Sequence, residues 1–404
     1  MRQRYLKFAA GALAMLLLLS GCSIEKVSTG ELSTTEPETT VEDTTQPAPE
    51  TTAEPEKETV SIIMVGDVLL HEKVAESGKR DDGTYNYDHF FANVKDEIQG
   101  ADIAIVNQEV ILGGKELGLT GYPSFNGAFE VGDAEANVGF NVVLHATNHA
   151  LDKGKTAVLN CIDFWKTKHP DIGMIGIYDS QESRDSIYVT EKNGIKVAIL
   201  NYTYGTNGIP LPSDMPYAVN MLDETTVRSD VAKAKQMADF VIVAPHWGTE
   251  YTHDIVDYQK RWTDIFADCG VDLVIGTHPH VVEPVETVEK NGHSMLVYYS
   301  IGNFINSTAE TGSGIADRML GAMATVTIEK DESGGAVKIS DYGVIPLVTH
   351  VKTGQAQITT YKLSDYTQEM AAQNEIVASD PAFSLEYCKN ICRNVFKNLY
   401  NEGE

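Results

Sequence analysis

From residue 61 onward the chain repeats one pattern: a short aliphatic or β-branched run, a few polar residues, then an amphipathic stretch. Compact apolar runs bounded by turn residues predict buried strands, and their alternation with amphipathic segments predicts an α/β protein. Six runs stand out: Ser61–Val65, Asp102–Val106, Asn141–Leu144, Phe240–Ala244, Val271–Ile275 and Met295–Ser300. Later, Ala322–Ile328 and Ala336–Val351 alternate like strands and are expected in the second sheet of a sandwich. Helices are expected from about Leu363, the last over Leu385–Leu399, and the Gly- and Ser-rich stretch Thr311–Arg318 reads as a loop over one face.

The residues that follow each run carry the chemical information. The first leads into Gly66-Asp67, with His71 four residues on, and the second into Asn107-Gln108-Glu109. The third leads into His145-Ala146-Thr147-Asn148-His149, then Asp152. The fourth leads into Pro245-His246-Trp247-Gly248-Thr249-Glu250, and the fifth into Gly276-Thr277-His278-Pro279-His280. The sixth ends in Ile301-Gly302-Asn303. In an open α/β sheet, side chains just past the carboxyl ends of strands converge in space. The converging set is then Asp67, His71, Asn107, Glu109, Asn148, His149, His246, His278, His280 and Asn303.

Taken singly, each has a plain structural explanation. A lone histidine after a strand usually serves a hydrogen bond in the fold, Asp67 after a glycine suits a helix N-cap, and asparagines suit turns. Five consecutive strand ends all carrying metal-type residues make those explanations fail together. Imidazoles, carboxylates and an amide without thiolate suit Mn, Zn or Fe. Their number exceeds the needs of one tetrahedral ion, so two divalent metal ions sharing a carboxylate are expected. In His278-Pro279-His280 the i, i+2 spacing lets both imidazoles reach one site from an extended segment. His89, His145, His169, His253, His293 and His350 are read as structural or exposed.

The first 60 residues differ in kind. Basic Met1–Lys7, the apolar run Phe8–Leu19 and the small residues before Cys22 describe a secretory signal. Leu19-Ser20-Gly21-Cys22 has the form of a bacterial lipobox, with an ordinary signal peptide as the alternative. Residues 1–21 are thus expected to be a lipoprotein signal peptide, and Cys22 the lipidated anchor in a membrane. Residues 22–60 are rich in Thr, Glu and Pro and lack aromatic residues, the composition of a disordered tether. Across 404 residues, 58 acids against 31 bases give −27, which repels phosphate backbones, so no nucleic-acid partner is expected. Five scattered cysteines exclude a disulfide scaffold. Cys388 and Cys392, at i, i+4 on the last helix, are read as packed thiols, since a bridge across one turn is geometrically poor.

Several motifs together resemble the CapA family of capsule and poly-γ-glutamate synthesis proteins, whose domain is similar to the calcineurin-like metallophosphatases. They are Gly66–His71, Asn107–Glu109, Gly121–Asn126, Ala146–Gly154, His246–Glu250, Gly276–Val281 and Tyr299–Phe304, in family order. The resemblance implies a four-layer α/β/β/α sandwich over residues 61–350, with residues 351–404 as a helical extension packed on it. It places Asp67 and His280 on a first metal, with His71 as a further candidate, and Glu109 in the bridging position. Asn148, His246 and His278 would serve a second metal, and His149 would face the substrate as catalytic proton donor. Asn107, Tyr122 and Asn303 are candidate substrate-binding residues, with Tyr122 equally suited to pack as a core or rim aromatic. Thr147 and Gln108 depart from the usual asparagine and leucine at non-ligand positions. Glu109 is one methylene longer than the phosphatase aspartate.

Two functions follow from this reading. One is an extracytoplasmic, membrane-anchored role in capsule or poly-γ-glutamate biosynthesis or export, beside poly-γ-glutamate synthase or export components. The other is a divalent-metal-dependent hydrolase, phosphoesterase or amidase, acting at the cell envelope.

Overall fold

The computed structural model describes residues 58–331, 335–352 and 357–402. The signal, Cys22 and most of the tether therefore lie outside the described residues. Among the described residues, fourteen strands form two sheets: β1 (Thr59–Val68), β2 (Ile103–Asn107), β3 (Val142–Leu144), β4 (Gly173–Ile175), β5 (Tyr188–Lys192), β6 (Ile195–Thr203), β7 (Phe240–His246), β8 (Leu273–Ile275), β9 (Val285–Lys290), β10 (His293–Tyr298), β11 (Asn303–Ile305), β12 (Leu320–Lys330), β13 (Val337–Val351) and β14 (Ile358–Lys362). One sheet runs β14-β13-β12-β1-β2-β3-β4, with β11 beside the end of β1; the other runs β5-β6-β7-β8-β10-β9.

Strand periodicity explains the layering. In the second sheet Val197, Ile199, Phe240, Ile242, Leu273, Ile275, Leu296 and Tyr298 face one way and join the core shared with the first sheet. Their alternates Ala198, Leu200, Val241, Val243, Val274, Met295 and Val297 face the other way. There they pack on Val227 and Val231 of the helix Glu224–Met237 and on Trp262 and Phe266 of the helix Asp257–Cys269. Residues of the helices Phe129–Val138 and Gly154–Lys168, among them Val131, Val158 and Trp165, join the core of the first sheet. The result is helices, sheet, sheet, helices.

Two expectations need correction. β12 and β13 belong to the first sheet, because β12 pairs antiparallel with β1 from Thr59↔Glu329 to Val65↔Met323. The segment after residue 350 is not purely helical: β14 adds an edge strand to β13 before the helices begin. The last helix, Leu385–Phe396, buries Cys388 and Cys392 as free thiols. Among the described residues no helix is long and apolar enough to cross a membrane.

Candidate metal centre and cleft

Parallel pairing brings the strand ends together. Asp67 lies opposite Asn107 of β2 and Asn303 of β11, and His246 closes β7 beside Thr277. The backbones meet closely here: Asp67 N–H donates to Gly302 O at 3.1 Å. Asp67, Asn107, Glu109, Asn148, His246, His278, His280 and Asn303 are all buried.

Ligand-type atoms gather in overlapping groups, each within 4.8 Å: Asp67, Glu109 and His280; Glu109, His246 and His278; and Glu250, His278 and His280. Glu109 belongs to the first two. Its carboxylate is 1% exposed, and among the described residues neither oxygen has a hydrogen-bond partner. Three imidazoles come near, with His246 Nε2 at 3.6 Å, His280 Nδ1 at 3.8 Å and His149 Nε2 at 4.0 Å. A buried carboxylate without donors is costly unless a cation compensates it. His278 Nδ1 is likewise buried and unpartnered. Burial, together with the neighbouring His246 and His280, holds His278 well below the usual imidazole range, which leaves its lone pair available. This donor set fits divalent metal binding.

The remaining contacts orient these groups. Asn107 Nδ2 donates to Asp67 Oδ1 at 2.7 Å, and His280 Nδ1 lies 3.2 Å from Asp67 Oδ2. Burial opposes ionisation of Asp67, yet the hydrogen bond and charge of His280 keep it below the usual carboxylate range. Burial likewise works against charge on His280, but Glu109 and Asp67 lift it to about 9. His246 Nε2 lies 2.9 Å from Asn148 Oδ1, and its Nδ1 lies 2.9 Å from Thr277 Oγ1. His278 and His280 both adopt left-handed backbone, with φ of 100° and 60°. The His-Pro-His segment is thus a strained turn and not the extended segment expected; such strain concentrates at functional sites.

The centre opens into a cleft of about 930 Å³, lined among others by His71, Tyr122, Asn148, His149, His280, Asn303 and Arg318. His149 stands in its wall with Nδ1 2.7 Å from Asp152 Oδ2, which also accepts from Phe125 N–H at 2.7 Å. Asp152 and Asn207, whose Nδ2 is 3.2 Å from the same imidazole nitrogen, were not singled out by the sequence. The i, i+3 spacing of His149 and Asp152 was the available signal.

Other placements differ from expectation. Asn107 does not line the cleft; it is wholly buried and holds Asp67. Asn303 borders the cleft, but its amide is engaged, with Oδ1 3.0 Å from His280 Nδ1 and Nδ2 donating to His280 O and Arg318 O. Tyr122 is 73% exposed at the lip. His71 lines the cleft with its ring edge-on to Phe125 and belongs to none of the three groups; burial brings it down to about 4. His145 accepts from Trp165 Nε1 and is structural, while His253 bridges Val282 O and Asp317.

A profile of the family described as bacterial capsule synthesis protein PGA_cap matches residues 61–308. A Bacillus subtilis (strain 168) protein named PGA biosynthesis protein CapA is 32% identical over 179 residues, 42% of this chain and 43% of that protein. A Bacillus anthracis protein named capsule biosynthesis protein CapA is 29% identical over 263 residues, 62% of this chain and 60% of that protein. The matches thus take in roughly half the length of these relatives. Similar solved structures include the calcineurin-like phosphoesterase YfkN from Bacillus subtilis, at 13% identity and a TM-score of 0.41 over 84% of this chain and 96% of that one. A 5'-nucleotidase precursor from Thermus thermophilus aligns at 13% identity and a TM-score of 0.43 over 83% of this chain and 59% of that one.

Proposed function

This chain belongs to the bacterial capsule synthesis family PGA_cap, and we propose that it acts in capsule-polymer production as a divalent-metal-dependent enzyme that cleaves or transfers at an amide or phosphoester bond. The observation that carries this reading is Glu109: a buried carboxylate with no hydrogen-bond donor among the described residues, shared by two ligand groups and lying behind His149 and His280 of an open cleft. Asp67, Glu109 and His280 would hold one ion, and Glu109, Asn148, His246 and His278 a second. Such ions polarise a carbonyl or phosphoryl oxygen and make water a better nucleophile at neutral pH.

The chain's own residues supply the rest. Asp152, accepting from His149 Nδ1–H, fixes the ring so that its other nitrogen is free to carry a proton. With Nδ1 engaged by Asp152, Nε2 is the nitrogen from which His149 can hand a proton to a leaving oxygen or nitrogen in the cleft. Phe125, edge-on to His149 at 4.7 Å, fixes the ring from the side. Asn107 and Asn303 act by holding Asp67 and His280, as positioning residues.

We place this activity on the outer face of a membrane, anchored by lipid on Cys22 and working beside synthase or export components; the Leu-Ser-Gly-Cys sequence and the Thr/Glu/Pro-rich spacer support that placement. The test is the metal content of the purified chain against Asp67→Ala and His278→Ala, with membrane fractionation of Cys22→Ala in cells. Equal metal content in all three proteins would sink the metal centre. A Cys22→Ala protein still wholly in the membrane fraction would sink the anchor.

A further inference from the structure

Arg318 lies in the last turn of the 3-10 segment Ile315–Met319, just before β12, and lines the cleft. It is built in from several sides. Its guanidinium carbon lies 3.5 Å from the ring centroid of Tyr251, itself held at a left-handed φ of 66° with its N–H on Pro279 O. That ring lies 5.9 Å from the imidazole of His280. The Arg318 carbonyl accepts from Asn303 Nδ2 at 2.9 Å, the amide that also contacts His280. Arginine and candidate ligand therefore share one positioning residue.

The guanidinium itself is only partly engaged. Nη1 donates to Glu310 Oε2 at 2.8 Å, while Nε is buried without a partner among the described residues. The Arg318 side chain is 11% exposed but Glu310 is 62% exposed. An ion pair with so exposed a partner contributes little to folding. Burying an arginine with an unused donor is not explained by that pair alone. The cleft is also lined by Glu72, Asp152, Glu250 and Glu310 against Lys73 and Arg318, and Lys73 is paired with Glu375.

We infer that Arg318 is the anion clamp of the cleft, exchanging the Glu310 carboxylate for a carboxylate or phosphate of the substrate. A planar guanidinium stacked on Tyr251 presents a fork that matches either group. This deepens the proposed function, on which it rests, by naming the substrate class as an anionic acyl or phosphoryl compound.

The test uses the full chain loaded with Mn²⁺, titrated calorimetrically with inorganic phosphate and, separately, with a short γ-linked glutamate peptide. Arg318→Gln is expected to weaken at least one probe about tenfold or more at unchanged metal content. Glu310→Gln, which removes the competing carboxylate, is expected to tighten the same probe, a change that a merely structural arginine would not produce. The probe that responds identifies phosphate or carboxylate as the ligand. If both variants bind both probes as wild type does while Asp67→Ala loses metal and binding, the clamp is refuted and the metal centre stands. If Asp67→Ala keeps its metal but Arg318→Gln still weakens a probe, the clamp stands and the metal reading falls. Should Arg318→Gln fold poorly, Glu310→Gln decides: unchanged affinity refutes the clamp.

Discussion

Replacing Glu109 by glutamine tests the centre most directly, because it keeps shape and removes charge. Three imidazole nitrogens lie 3.6 to 4.0 Å from its oxygens, and a cation bound among them would feel the carboxylate at similar or shorter range. At such a distance one unit charge contributes about 4 kcal/mol at an effective dielectric near 20. If about a third is recovered by the amide oxygen and relaxation, the remaining loss of about 2.7 kcal/mol lowers affinity about a hundredfold. At a metal concentration about a thousand times the wild-type dissociation constant, binding stabilises the native state by about 4 kcal/mol; a hundredfold weaker site retains about 1.4 kcal/mol. At about 2 °C per kcal/mol for a chain of this size, the metal-induced rise in melting temperature drops from about 8 °C to about 3 °C. The assay is thermal unfolding with Mn²⁺ and with chelator, each protein referenced to its own chelated state so that direct effects on folding cancel. An undiminished rise in Glu109→Gln, or none in wild type, would refute the assignment.

Three further outcomes are expected. His149→Ala should lose about 10²- to 10⁴-fold in turnover of a responsive amide or phosphoester while keeping its metal, with Asp152→Asn falling in between; equal activity would remove His149 from the chemistry. Glu283 is buried with one oxygen on Gln259 Nε2 and the other unpaired, and burial lifts its carboxyl to about 8. The folded state therefore holds a proton that the unfolded chain releases above about 4.5. That stability is present at low pH and declines by about 1.4 kcal/mol per pH unit on the way to about 8. Glu283→Gln should remove the decline, so denaturant midpoints measured at both ends of the window should favour the variant only at the upper end; parallel pH profiles would contradict this. Gly66→Ala would put a Cβ 1.8 Å from Gly302 O, where β1 meets β11, and should cost about 3 kcal/mol or more in urea unfolding; a wild-type midpoint would mean the two strands do not touch there.

The strands legible as apolar runs are buried on both faces, though β6, equally buried, is not among the six runs. β1, β2, β3, β7, β8 and β10 are continuous apolar runs, as parallel strands between layers must be. The hairpins β5–β6 and β9–β10 were harder, because β5 and β9 carry exposed charged residues such as Glu191, Glu286 and Glu289 at the edge of their sheet. Asn193-Gly194 and Asn291-Gly292, all with positive φ, were the overlooked turn signals. β4 and β11 have three residues each and open on Gly173 and Asn303, so no apolar run marks them as it marks the equally short β3 and β8. β12 and β13 look like strands locally, but nothing local says that β12 pairs with β1.

The same division runs through the site. Asp67, Glu109, Asn148, His246, His278 and His280 each follow a legible strand, so the rule that strand ends converge was enough to group them. What it could not give is the division of labour within the group. Asn107 and Asn303 stand at strand ends like the rest, yet their amides are spent on Asp67 and His280 because β2 and β11 flank β1. Arg318 belongs to a loop whose sequence predicts only a cover, and it reaches the cleft because Asn303 holds its backbone. The unhydrogen-bonded Glu109, the left-handed His278 and His280, and the half-used Arg318 each cost stability that folding alone gives no reason to accept. All three lie at or directly behind one cleft, and a fold keeps such local conflicts together where binding offsets them.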